Sequence, residues 1–241
     1  MLRNIWRAMA AVGLALVALG VGARGWSAGG GAPRAVAPYV GMLAGRTIVI
    51  DPGHGGWDPG AINRRAREAD INLAVAEMLR GLLEDAGARV LLTWSAGRPI
   101  PAHRKYRVQA RSRWINRQRA DVLIDIHTNV GSGGVGPQVF YWDGIPSRVL
   151  ADAIQEELSG FTGTHRRVTR INQYVLRHSA IPAVNVEVGF LSHAQEALRL
   201  TAVQYQRDLA WCILVGLLRW FVGGTAPPEY LAPPRPADLL R

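Results

Sequence analysis

The sequence predicts a single α/β domain, built on a mainly parallel β-sheet with helices on both faces. Three observations carry that reading. Short apolar runs at residues 48–50, 122–126 and 184–188 have the length of buried strands. Between them lie longer segments whose apolar residues recur at helical spacing. The chain has 241 residues, 49% of them hydrophobic, which suits one folded core with terminal extensions.

Taken in order, the elements begin after an N-terminal leader. Arg3 and Arg7 precede an uncharged stretch from Ala8 to Ala23. Positive charge ahead of an apolar run is the layout of an export signal, or of a membrane anchor if it stays attached. Residues 24–44, with Gly, Ala and Pro abundant up to Pro38, read as a linker. Residues 47–51 form the first strand, which breaks at Pro52-Gly53. A helix follows over 68–86, because Ile71, Val75, Met78, Leu79, Leu82 and Leu83 fall at helical spacing and Gly87 supplies a stop. Residues 89–93 are the next strand, 104–119 an arginine-loaded helix, and 122–126 a strand. Another strand, 138–142, comes after the Gly-rich loop 131–136. Residues 147–159 are helical, 174–177 a short strand, 184–188 a core strand and 203–222 a long apolar helix. The tail 223–241 carries Pro227, Pro228, Pro233, Pro234 and Pro236 and is expected to be flexible.

Charge and cysteine content narrow the chemistry. The formal net charge of +10 suits nucleic acid, anionic lipid or an anionic polymer such as the cell wall. An export segment argues against nucleic acid, for which charge is the sole support. With Cys212 as the single cysteine, neither an internal disulfide nor a cysteine zinc site is available; Cys212 itself reads as a core residue. Residues 104–119 hold seven basic side chains and no acid. They read as a solvated helix face, with Val108, Trp114 and Ile115 turned inward.

Ligand sites in parallel sheets gather outside the carboxyl ends of the strands. His54 sits in the turn after the first strand, His127 directly follows the run Val122-Leu-Ile-Asp-Ile126, and Glu187 lies near the end of Val184-Asn-Val-Glu-Val188. Glu68 opens the first helix. Two histidines and two carboxylates can therefore meet at one edge. Hydrolytic zinc takes three protein ligands and leaves a place for water. His54, Glu68 and His127 would supply those three, and Glu187 fits the carboxylate that moves protons, with a fourth ligand or a salt-bridge partner as its alternative roles.

Ordered motifs surround these residues. They are Ile50-Asp-Pro-Gly-His-Gly-Gly56 with Asp58, Glu68-Ala-Asp-Ile-Asn-Leu73, Gly87-Ala-Arg-Val90 with Thr93, and Ala120-Asp-Val-Leu-Ile-Asp-Ile-His-Thr-Asn129. Tyr174-Val-Leu-Arg177 and Ile181-Pro-Ala-Val-Asn-Val-Glu-Val-Gly-Phe-Leu-Ser192 complete the set. Over residues 45–222 the chain resembles the zinc-dependent N-acetylmuramoyl-L-alanine amidases of the type 3 family. The resemblance implies a six-stranded, largely parallel sheet wrapped by helices. It implies zinc (Zn2+) on His54, Glu68 and His127, with Glu187 catalytic. The reaction implied is cleavage of the amide between the lactyl group of N-acetylmuramic acid and L-alanine in peptidoglycan. Within the family the chain is most similar to germination-specific amidases of spore formers, partly through Arg166-Arg-Val-Thr-Arg-Ile-Asn-Gln-Tyr-Val-Leu176. The expected partners are peptidoglycan and a protein activator, with the chain a monomer acting outside the cytoplasmic membrane.

Several positions depart from the family pattern. Ala69 stands where lysine is common, Trp94 where arginine is frequent and His193 where asparagine is common. Asp125 takes the place of a small residue and is expected to pair with a nearby arginine rather than to orient a histidine. Arg111 matches a family arginine. Asn129 is a candidate for substrate or for a turn. Arg166 and Arg167 are candidates for a substrate carboxylate, which suits their forked guanidinium groups. His178 and His193 are minor candidates at the site edge, whereas His103 and His165 read as exposed.

Overall fold

The computed structural model describes residues 39–96, 108–131 and 134–221. The leader, most of the linker, the C-terminal tail and His103 lie outside these residues. Strand β1 (Thr47–Pro52) is followed by helix α1 (Glu68–Asp85), strand β2 (Arg89–Leu92) and helix α2 (Val108–Arg117). Next come β3 (Val122–Asn129), β4 (Gln138–Tyr141) and α3 (Ile145–Thr162). The chain continues through β5 (Thr169–Arg170), α4 (Tyr174–Arg177), β6 (Ala183–Phe190), α5 (Ala194–Leu200) and α6 (Val203–Phe221).

The six strands form one sheet in the order β2-β1-β3-β6-β4-β5. β1 pairs in parallel with β2 and β3, and β3 with β6. β4 runs antiparallel to β6 and carries β5 along with it. The carboxyl ends of β1, β3 and β6 thus line one edge, and the loop entering β4 arrives at the same edge.

Each face of the sheet has its own apolar layer. Ile48, Ile50, Val122, Ile124, Ile126, Val184 and Val186 point towards α1, α3 and α6. That layer is thick because these helices bring Val75, Leu79, Leu83, Ile154, Leu158 and Ile213, all fully buried. Cys212 is among them, as its apolar surroundings predict. The opposite layer is thinner: Val49, Leu123 and Ala183 pack with Ile115 of α2 and with Val175 and Leu176 of α4. Val108 and Trp114 cover the rim of this layer, as expected for the inner side of the arginine-rich helix, whereas Arg113 and Arg117 face solvent.

Three elements differ from expectation. Residues 174–177 are a helical turn, not a strand: Arg177 N donates to Gln173 O at 2.9 Å and His178 N to Tyr174 O at 3.1 Å. Two consecutive buried residues, Val175 and Leu176, carry no periodicity that separates a turn from a strand. The fifth strand is instead the two-residue pair Thr169–Arg170. Helix α5 was not foreseen; it starts where the His193 side chain accepts a hydrogen bond from Glu196 N. Packing also begins ahead of residue 45. Leu43 is fully buried and Tyr39 meets Trp211 edge-on, with ring centroids 5.1 Å apart.

Candidate metal centre

The carboxyl edge is built in rows. Val49, Leu123 and Ala183 form an apolar row, and two residues further along Asp51, Asp125 and Asn185 are aligned by register. Alternation keeps them on the same face. Two residues beyond again, His127 and Glu187 are register partners on β3 and β6. A charged row inside otherwise apolar strands has to be satisfied locally. Asp51 accepts from Thr93 Oγ1 at 2.5 Å and pairs with Arg111 at 3.3 Å. Asp125 accepts from Gln173 at 3.1 Å, and Gln173 Oε1 accepts from Asn185 at 3.0 Å.

Asp125 corrects one expectation. Its Oδ1 lies 3.4 Å from Nε2 of His127, while the arginine in this layer, Arg111, pairs with Asp51. The small turn α4 explains why: it sets Gln173 against Asp125 and leaves the second oxygen to the imidazole.

His54 reaches the edge from the turn after β1. Its φ of 63° lies in the left-handed region, a conformation non-glycine residues adopt only when the surroundings enforce it. Asp58 does so, with Oδ2 2.9 Å from His54 Nδ1 and Oδ1 accepting from Gly60 N at 3.0 Å. That leaves Nε2 facing Glu68 Oε1 at 3.1 Å. Glu68 arrives from the other side of the sheet as the first residue of α1, where a negative side chain is favoured by the helix dipole. Its Oε2 accepts from Ala61 N at 3.0 Å, and its Oε1 accepts from Thr128 N at 3.2 Å and stands 3.1 Å from His127 Nδ1. Asn72, one turn along α1, ties the parts together by donating to Gly53 O and accepting from Thr128 Oγ1.

Glycine is required at two positions here. A Cβ on Gly53 would fall 2.3 Å from the His127 ring, and one on Gly60 2.7 Å from Glu68 Oε2. The rings of His54 and His127 meet edge-on at 5.0 Å. One donor atom each from His54, Glu68 and His127 lies within 4.8 Å of the others. Two imidazoles and a carboxylate at this spacing, in a cradle that excludes any Cβ, fit a tetrahedral zinc site with a place left for water.

The electrostatics follow from the same contacts. Burial opposes a charge on Glu68, yet hydrogen bonds from His127 and His54 outweigh it and hold the carboxyl well below the usual carboxylate range. For both histidines burial favours the neutral ring, but the carboxylates prevail: Glu68 and Asp58 raise His54, and Asp125 with Glu68 raises His127 strongly. Glu187 goes the other way. Burial pushes it up to about 7 against the opposing pull of His127, and its Oε2 has no hydrogen-bond partner.

The remaining candidates stand apart from this cluster. Asn129 ends β3, and its side chain accepts from Val130 N at 2.7 Å, a turn contact. Arg166 spends its fork inside the protein: it donates to Val135 O at 3.0 Å and to Gln138 Oε1 at 2.6 Å, and lies over the Phe190 ring at 4.4 Å. It thereby clamps the loop leading into β4, whose Gln138 is the register partner of Glu187. It also borders a cavity of about 490 Å³ that none of His54, Glu68, His127 or Glu187 lines. Arg167 is exposed beside it. His178 stacks on Tyr174 at 3.9 Å, His193 caps α5, and His165 is exposed. Sequence reasoning assigned no role to Asp51, Asp58, Asn72, Thr93 or Gln173; charged and amide residues inside apolar strand runs were the available signal for Asp51 and its neighbours.

Two imidazoles and a carboxylate converge at the carboxyl edge of this α/β sheet, beside a second buried carboxylate, as a group able to hold a metal ion. Residues 48–219 match the N-acetylmuramoyl-L-alanine amidase family, and the chain belongs to it. It is 34% identical over 205 residues to the germination-specific N-acetylmuramoyl-L-alanine amidase of Bacillus subtilis, covering 80% of this chain and 86% of that one. The CwlD amidase of Clostridioides difficile, solved in complex with the GerS lipoprotein, superposes with a TM-score of 0.67 at 33% identity over 73% of this chain and 98% of that one. The catalytic domain of CwlV from Bacillus (Paenibacillus) polymyxa gives the same TM-score at 28% identity, over 73% of this chain and 98% of its own.

Proposed function

We propose that this chain hydrolyses the amide between N-acetylmuramic acid and L-alanine in peptidoglycan, with zinc held by His54, Glu68 and His127 and with Glu187 as the catalytic carboxylate. The observation that carries this is the meeting of three donor atoms within 4.8 Å beside a register-paired Glu187 whose Oε2 is unpartnered. Bound zinc supplies a Lewis acid for the carbonyl and lowers the pKa of water towards 7. Glu187 takes the proton of the attacking water on that oxygen and passes it to the departing alanine nitrogen. A proton-transfer group of this kind contributes roughly 10²–10⁴-fold. Asp58 holds Nδ1 of His54 at 2.9 Å and so orients that imidazole, and Asp125 Oδ1 lies 3.4 Å from Nε2 of His127.

The setting follows from the relatives and the leader. Residues 1–23 export the chain or anchor it, and it acts outside the cytoplasmic membrane on spore cortex during maturation or germination. A germination-specific and a sporulation-specific amidase of Bacillus subtilis among its relatives support this reading. The lipoprotein bound to the Clostridioides difficile amidase supports a protein activator.

Metal analysis and product chemistry test the proposal together. The purified protein should hold about one zinc per chain. Chelator should abolish release of peptides, and mass spectrometry should find a free muramic lactyl group and a free L-alanine N-terminus. Glu187→Ala should keep its zinc and lose at least about a hundredfold in turnover. Products that retain the muramoyl–alanine bond would refute the assigned reaction.

A further inference from the structure

The stretch between His54 and Glu68 does more than connect two metal-site residues. Gly55 and Asp58 exchange backbone hydrogen bonds, N to O at 2.8 Å and 3.2 Å, which closes a hairpin with Gly56 and Trp57 at its corner. Asp58, next to Trp57, is the residue that holds His54 Nδ1 at 2.9 Å. The position of Trp57 is therefore fixed by the same contacts that fix the metal site. Two residues, Gly55 and Gly56, separate Trp57 from His54, so their Cα atoms, three steps apart, lie within about 11 Å even for a straight chain, and the hairpin folds them closer.

Among the described Trp, Tyr and Phe side chains Trp57 alone is exposed, at 59%. The other described tryptophans are partly or wholly buried; Trp94, for example, is 7% exposed and donates to Pro52 O at 2.7 Å. A large exposed ring has no role in this core, and a hairpin corner needs no indole. Ile62, on the same connection, is 63% exposed.

Resting on the peptidoglycan reading above, we infer that Trp57 is the platform on which a pyranose ring of the glycan strand stacks. The scissile amide hangs from the lactyl group of an amino sugar. A sugar ring must therefore lie a few bonds from the reacting carbonyl, and the chain length holds the Trp57 backbone within about 11 Å of His54. One face of a pyranose presents C–H groups with partial positive charge, and the indole face is negative. Stacking removes both apolar faces from water without requiring any hydrogen bond from the hairpin. Trp57 would then orient the glycan, while His54, Glu68, His127 and Glu187 act on the amide.

The test uses the zinc-loaded full chain and a probe without peptide, a tetramer of β-1,4-linked N-acetylglucosamine. The tetramer is expected to shift the indole N–H resonance of Trp57, identified by its loss in Trp57→Phe. On peptidoglycan, Trp57→Ala is expected to raise KM about tenfold with its zinc content intact, and Trp57→Phe to recover most of that loss. An unmoved Trp57 resonance at millimolar tetramer, or an unchanged KM in Trp57→Ala, overturns the inference. If the wild-type chain cleaves peptidoglycan while Trp57 stays silent, the amidase reading stands and the platform does not. If Trp57 responds to the tetramer and no cleavage occurs, the platform stands and the amidase reading fails.

Discussion

Asp125 is fully buried and divides its two oxygens between Gln173 and the outward nitrogen of His127. A carboxylate behind a metal-binding imidazole fixes which nitrogen carries the proton and makes the other a stronger donor. Asp125→Ser should therefore weaken zinc binding by about 10–100-fold, as read by competition with a chromophoric chelator; equal affinity would show that the contact does not tune the ligand. Glu187 gives a pH prediction of opposite character. Its pKa in the fold, about 7, exceeds the ordinary 4.5. Ionising it thus costs folding free energy, a cost absent below about pH 4.5, growing as pH rises from there to about 7 and complete above. Without metal, Glu187→Gln should be more stable than wild type near pH 8.5 by about 3 kcal/mol, a difference that closes towards about pH 5. Thermal melts in chelator at the two pH values check this.

At the scale of elements, the long helices α3 and α6 pack closely where Gly216 meets Ile154. A Cβ on Gly216 of α6 would lie 2.6 Å from Ile154 Cα, which is backbone and cannot give way. Gly216→Ala should thus cost about 1–3 kcal/mol by overpacking, even though alanine is the better helix former. A urea midpoint lowered with unchanged slope would show it. Legibility differs among the elements for equally local reasons. Helix α1 has a long periodic pattern, and strands β1, β3 and β6 have mostly apolar runs of strand length. The turn α4 and helix α5 have 4 and 7 residues, too few for a period to emerge. Helix α5 depends on distant partners: Glu196 accepts from Gly136 N at 2.7 Å and from Phe190 N at 3.0 Å.

For the molecule as a whole, the metal site joins β1, α1 and β3 across both faces of the sheet, so loading it should stabilise the entire fold. Zinc at a hundredfold excess over its Kd contributes about 2.7 kcal/mol. For a chain of this size that is a Tm rise of roughly 5–10 °C, lost in chelator; a Tm indifferent to zinc would mean that the site does not bind the folded state preferentially. The formal charge of +10 belongs to the same scale, as a field that attracts polyanions and weakens with salt.

That His54, Glu68, His127 and Glu187 gather at one edge was legible in the chain alone, because glycine-rich turns, strand ends and a helix start each mark where a side chain emerges. The alternation of strands and helices likewise determined the sheet and its ligand-bearing edge. Only the tertiary structure decided that Asp125 serves His127 rather than an arginine, that Arg166 clamps a loop, and that Asp51, Asp125 and Asn185 share a row. Those facts depend on strand register and on turns packed from far along the sequence. A one-residue slip in pairing would exchange the two faces of a strand, and no local pattern of polar residues records which partner stands opposite.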